Sequence, residues 1–144
     1  MCNNDTIELL KECDSGSKMA VSSIDEVLDK VESSELRNLL TESKNHHSKL
    51  GNDLHTILNE YGIESKDPNP MAKGMAWMKT NVKIGMHEGD ETIADLMTEG
   101  CDMGIKSLNK YLNQYKAADN KAKDICNRLI SIEEELDKKL RKFL

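Results

Sequence analysis

Proline is almost missing from this chain of 144 residues, occurring only at positions 68 and 70. Nearly all of the chain is therefore free of the one residue that lacks a backbone donor, and long uninterrupted helices are open to it. Aromatic residues are as scarce, with one Trp, three Tyr and one Phe. β-sandwiches and barrels draw on aromatic and β-branched side chains for their pleated faces, so this shortage argues against them. No apolar run approaches the roughly 20 residues of a bilayer-spanning helix. The start, MCNNDTIELLKEC, has no basic n-region. A cytoplasmic protein that meets no membrane is expected.

An excess of positive charge is also lacking. The 20 Lys and Arg are outnumbered by 26 Asp and Glu, for a net charge of −6, and they are spread along every segment. No basic face is offered on which a phosphate backbone could release counterions, so nucleic acid is not an expected partner. The four cysteines, Cys2, Cys13, Cys101 and Cys126, form no CxxC pair and have no histidine at zinc-finger spacing. Free thiols are expected in place of a zinc or thioredoxin-like motif. On consecutive antiparallel helices turning near residue 118, Cys101 and Cys126 would differ in level by ~12 Å, too far to bridge. P-loop, GxGxxG and nucleophile-elbow fingerprints are absent too.

What the chain has is charge, at 32% of residues, and aliphatic side chains at three-and-four spacing. Its length suits one domain, residues 1–144, able to bury about two-thirds of its unfolded surface. Ile7, Leu10, Val21, Ile24, Leu28 and Val31 mark a helix over about 5–32. Ser33, Ser34 and Glu35 restart a second, over 34–61, which Gly62 closes. Residues 63–70, containing KDPNP, read as a linker. Met71, Met75, Met78 and Val82, with Trp77 beside them, give a short helix over 71–87, either separate or the first half of a bent third helix. Asp90 is expected to cap the next helix, 90–116, along Ile93, Met97, Leu108 and Tyr111. Asp119 or Asn120 opens the last, 119–143, along Ala122, Ile125, Leu129, Ile132 and Leu136. The fold class is all-α: an antiparallel four-helix bundle of two αα-hairpins joined by a crossover segment with a short extra helix.

The hairpin ending in YGI, the segment MAWMKTNVKIGMHEGDETI and the stretch LMTEGCDMGIKSL resemble a family of uncharacterised bacterial proteins, a domain of unknown function with a ferritin-like four-helix bundle. The resemblance covers nearly the full length and implies a fold more than an activity. A ferritin-like di-iron site takes a Glu from each of two helices and an ExxH pair from each of the other two. Here no ExxH occurs, His46, His47 and His55 all sit on the second helix, and the last helix has no histidine. Where the family often has Gly-Glu-Asp, this chain reads Gly100, Cys101, Asp102. The resemblance therefore implies a member whose metal ligands are lost.

Polar residues interrupt two of the apolar seams: Asp14 and Ser17 on the first helix, Ser43 and His47 on the second. Folding the hairpin about residue 33 puts Asp14 and Ser17 one turn from His47, so an Asp14–His47 hydrogen bond that raises the imidazole pKa is expected. A polar layer that fixes helix register is favoured over a metal or proton-handling site. Glu42, His46 and Asp53 share a stripe on the second helix, and a solvated face is favoured over cation binding there. Asp14, Glu42, His46 and His47 are the candidate metal ligands. The methionine stripe, with Met86, reads as core packing or a dimer contact, and His87, Glu88, Asp90 and Glu91 as an acidic helix start. Gly100 and Gly104 suggest a close helix approach beside a buried, inert Cys101.

The expected function is non-catalytic: a structural or stress-related bundle acting through protein contacts, as a homodimer or with an unknown protein partner, and without a cofactor. The alternative is a metal-binding or redox protein holding iron, zinc or manganese around Asp14 and His47.

Overall fold

The computed structural model describes residues 3–63 and 89–144. Most of the expected linker, the expected helix at 71–87 with its methionines and Trp77, and His87 and Glu88 lie outside the described residues. Among the described residues four α-helices make up the bundle: α1 (Asn4–Leu28), α2 (Ser34–Glu60), α3 (Asp90–Gln114) and α4 (Asn120–Leu140), the last ending in a 3₁₀ turn, Arg141–Phe143. No strand occurs among the described residues.

Short polar side chains start three of these helices by accepting from their orphan amides. Asn3 Oδ1 takes Thr6 N at 2.8 Å, Ser33 Oγ takes Leu36 N at 3.3 Å and Asp119 Oδ1 takes Ala122 N at 2.8 Å. α2 stops where expected. Gly62 adopts φ +70°, and the amides of Ile63 and Gly62 fold back onto the carbonyls of Leu58 and Asn59 at 2.8 and 3.0 Å, a Schellman closure.

Two boundaries differ from expectation for one shared reason. α1 ends at Leu28, not near residue 32, and Asp90 is not the cap of its own helix. Gly89, at φ +146°, holds the cap position. The Asp90 carboxylate instead accepts from Glu32 N and Ser33 N, both at 2.9 Å. The amides between α1 and α2 find their acceptor on the other hairpin, which lets α1 stop early without leaving donors unmet.

These bonds also set the topology. Asp90, at the start of α3, lies against the α1–α2 turn, and Lys142, just beyond α4, pairs with Glu35 at the start of α2. At the opposite pole Asn3 and Asp5 bond Ala117, Thr6 Oγ1 accepts from Asp119 N at 2.7 Å, and the Tyr61 hydroxyl donates to Asp119 Oδ2 at 2.8 Å. α1 and α4 therefore run one way and α2 and α3 the other. α2 ends at one pole while α3 begins at the other. The pairs α1/α2, α2/α4, α4/α3 and α3/α1 are antiparallel, and α1 and α4 pack in parallel across the diagonal.

The core is in two parts. Leu9, Leu10, Cys13, Leu50, Leu54, Leu58, Ile125, Cys126 and Leu129 fill one. Ile24, Val27, Leu36, Leu40, Ile93, Met97, Leu136 and Leu140 fill the other. Each fully buried Leu or Ile contributes about 1.5–3 kcal/mol of transfer free energy. In sequence Asp14 and Ser17 on α1, Ser43 and His47 on α2 and Glu133 on α4 fall between the two parts, and all five are buried. No helix among the described residues is long and apolar enough to cross a membrane.

Candidate functional site

The centre of the polar layer is His47, fully buried on α2. Its Nδ1 lies 2.8 Å from the carbonyl oxygen of Ser43, one turn back on the same helix. Its Nε2 lies 2.7 Å from Glu133 Oε1 on α4. A carbonyl oxygen only accepts, so Nδ1 must carry a hydrogen. The Nε2–Oε1 contact needs a second hydrogen between nitrogen and carboxylate. The pair thus holds one more proton than a neutral imidazole beside a carboxylate, and the imidazolium form donates at both nitrogens. Burial alone would lower the His47 pKa. The hydrogen bond to Glu133, its negative charge and the Ser43 carbonyl outweigh burial and raise it.

α3 supplies the floor. The thiol of Cys101 leans on Glu133, and its pKa is pushed far up, first by burial and then by the charge and hydrogen bond of that carboxylate. At Gly104, one turn on, a Cβ would stand 3.8 Å from Glu133 Cδ, an ordinary van der Waals contact. At Gly100 a Cβ would meet nothing within 4 Å. The close helix approach expected of both glycines is therefore not what the structure shows. Gly104 faces a side chain at ordinary contact distance, not a backbone, and Gly100 has room to spare.

The four candidate ligands are placed as follows. Asp14 is buried as expected, but the anticipated Asp14–His47 bond does not form, because both imidazole nitrogens are engaged by Ser43 and Glu133. Asp14 Oδ2 instead accepts from Lys18 Nζ at 2.9 Å, four residues along α1, while Ser17 Oγ donates to the Asp14 carbonyl at 3.1 Å. Ser17 then faces Gly51 of α2, where a Cβ would stand 3.5 Å from the hydroxyl, an ordinary contact. Glu42 and His46 are exposed on the α2/α4 seam, beside Glu135 and Lys139. Lys139 holds the Glu135 pKa down by hydrogen bond and charge. Among the described residues no three His, Cys, Asp or Glu side chains are placed to share one cation.

Glu133 is the residue that sequence reasoning missed. Its signal was present: Ile125, Leu129, Glu133, Leu136 and Leu140 are one stripe at spacings of four, four, three and four, with a carboxylate at a core position. Taking the half-buried Ile132 as the stripe residue hid it. Neither residue stands in an ExxH word: Lys44 lies three before His47, and Leu136 three after Glu133.

The described thiols are buried and free, as expected: Cys13, Cys101 and Cys126. Cys13 is kept protonated, first by its hydrogen bond with Cys126 across the α1/α4 diagonal and then by burial. Among curated proteins no match is found, and no solved structure matches. The family model described as Domain of unknown function (DUF2383) matches residues 4–114, which takes in α1, α2 and all of α3, and the chain belongs to that family.

Proposed function

We propose that this protein is a ferritin-like bundle whose metal layer has been replaced by a proton-holding polar layer, and that it acts through protein contacts, as a homodimer, in place of catalysis. A single crossover between two antiparallel hairpins is the ferritin-like arrangement, and α2 and α3 run parallel here with their near ends at opposite poles. The observation that carries the reading is the engagement of His47 at both ring nitrogens by Ser43 and Glu133. Donors that a ferritin-like site would turn toward a metal are spent on each other. A structural role fits a layer that fixes register without chemistry.

The test is the metal content of protein purified without a His tag. Substoichiometric iron, zinc and manganese is the expected result. Stoichiometric metal that disappears in His47→Ala would overturn the reading. The second reading, a metal or redox site around Asp14 and His47, rests on the burial of both in one layer. Stoichiometric metal lost in both Asp14→Ala and His47→Ala would select it.

A further inference from the structure

Outside the polar layer the fold brings two nucleophilic side chains together, the thiols of Cys13 on α1 and Cys126 on α4. Both are fully buried and free. Their meeting follows from the register of two parallel helices. Thr6 Oγ1 accepts from Asp119 N at 2.7 Å, an offset of 113 residues. One heptad further along each helix the same offset pairs Cys13 with Cys126. A turn beyond, it pairs Gly16 with Leu129, where a Cβ on the glycine would stand 3.7 Å from Leu129 Cδ2, an ordinary contact. Leu9 and Ala122, again at this offset, lie in the same part of the core. Steps of three and seven residues stay on one helix face, so these pairs form a single line of contact about three turns long.

Within that line the two thiols are a directed pair. Cys126 Sγ donates to the Leu108 carbonyl of α3 at 3.8 Å, which leaves its lone pairs free to accept. The Cys13 thiol donates to them, and this bond lowers the Cys126 pKa while it raises that of Cys13. Cys101 differs: burial and the Glu133 carboxylate both push its pKa far up. Among the described cysteines Cys126 is thus the readiest to form a thiolate, and Cys13 is in contact with it.

We infer that Cys13 and Cys126 are a redox-active dithiol that hydrogen peroxide closes to a disulfide, tying α1 to α4 and so the first hairpin to the second. The Cys126 thiolate attacks one peroxide oxygen. An S–O bond forms, the O–O bond breaks, and the hydroxide released takes up the proton that Cys126 gave up, leaving as water. The Cys13 sulfur then attacks the sulfenic sulfur. The S–S bond forms, the S–O bond breaks, and the second hydroxide leaves as water with the Cys13 proton. Two thiols lose two electrons, and the peroxide is reduced to two waters. The sulfurs need only close from hydrogen-bond contact to the ~2 Å of an S–S bond. Because both are buried, the oxidant reaches them when the bundle opens locally, and the bond forms as the helices close again in register. A bundle that opens under oxidant is captured shut.

The experiment exposes the full reduced chain to hydrogen peroxide, removes the excess with catalase, alkylates the remaining thiols in denaturant and maps the peptides by mass spectrometry, beside thermal unfolding of the same samples. The expected result is a link between the Cys13 and Cys126 peptides in chains that stay at the 16.2 kDa mass, reversed by dithiothreitol. Closing a loop of roughly 110 residues should raise Tm by about 10 °C. Cys13→Ser, which keeps Cys101 and Cys126, should show neither the link nor the rise. Recovery of Cys13 and Cys126 as free thiols, or as sulfinic acids without a link, overturns the inference. A link that leaves Tm unchanged or lowers it overturns the tie between the hairpins.

Discussion

Glu133→Gln separates the two things the Glu133 carboxylate does for His47, hydrogen bonding and charge. In the wild type the imidazolium donates to Ser43 and Glu133 together. In the variant a neutral His47 keeps its Nδ1 hydrogen on Ser43 and accepts from the Gln amide at Nε2, so the layer stays satisfied without the extra proton. The wild-type His47 pKa is raised in the fold. Its contribution to stability is therefore fully present below the unfolded value of about 6.5 and is lost as pH rises through the folded value. Between those two values the slope is at most about 1.4 kcal/mol per pH unit. Buried thiols add a second loss above roughly pH 8, because Cys13 and Cys101 ionise more readily unfolded than folded. Glu133 itself helps to raise the Cys101 pKa, so that part of the loss differs between the two proteins and the informative quantity is the difference between them below pH 8. Urea unfolding followed by far-UV circular dichroism at pH 6, 6.5, 7 and 7.5 should show the wild-type advantage over Glu133→Gln shrinking by on the order of 1 kcal/mol across that range. Parallel stability curves for the two proteins would refute the proton-holding pair.

His47→Leu alone leaves a buried carboxylate without its partner and should cost about 3–5 kcal/mol, whereas His47→Leu with Glu133→Leu should recover most of that loss, checked by the same urea series. Asp90→Ala removes the acceptor of Glu32 N and Ser33 N and should cost about 1–2 kcal/mol, against less than about 0.5 kcal/mol for the neighbouring exposed Glu91→Ala. Gly100→Ala fills open space in mid-helix and should stabilise by up to about 1 kcal/mol, raising Tm by ~2–4 °C.

Much of the fold was legible because helices announce themselves locally. Ser33, Gly62 and Asp119 carry cap chemistry that needs no tertiary context, and α2 and α4 begin and end within a few residues of the expected positions. The boundaries that missed were decided across the bundle. Asp90 looks like an N-cap in sequence, yet its carboxylate is more useful to the α1–α2 turn, and that choice is visible only once the two hairpins are docked. Gly100 and Gly104 look alike in sequence; what lies opposite each differs, and that is a property of α4.

The polar layer was legible one helix at a time. Asp14, Ser17, Ser43 and His47 are all buried where the apolar stripes break, but which of them would bond could not be read from the α1/α2 hairpin alone. About one turn from His47 across that hairpin, Asp14 was the nearest acid by sequence arithmetic; across the α2/α4 interface Glu133 stands closer and is aimed at Nε2. The Asp14–Lys18 bond lies within α1, whereas the His47–Glu133 bond joins α2 to α4. That division bears on the family. The matched stretch stops at Gln114, so His47 lies within it and Glu133 lies beyond it. A buried imidazole whose carboxylate sits on the helix outside the matched stretch makes α4 a requirement for the layer, because without Glu133 the Nε2 of His47 would be left unmet in the middle of the core.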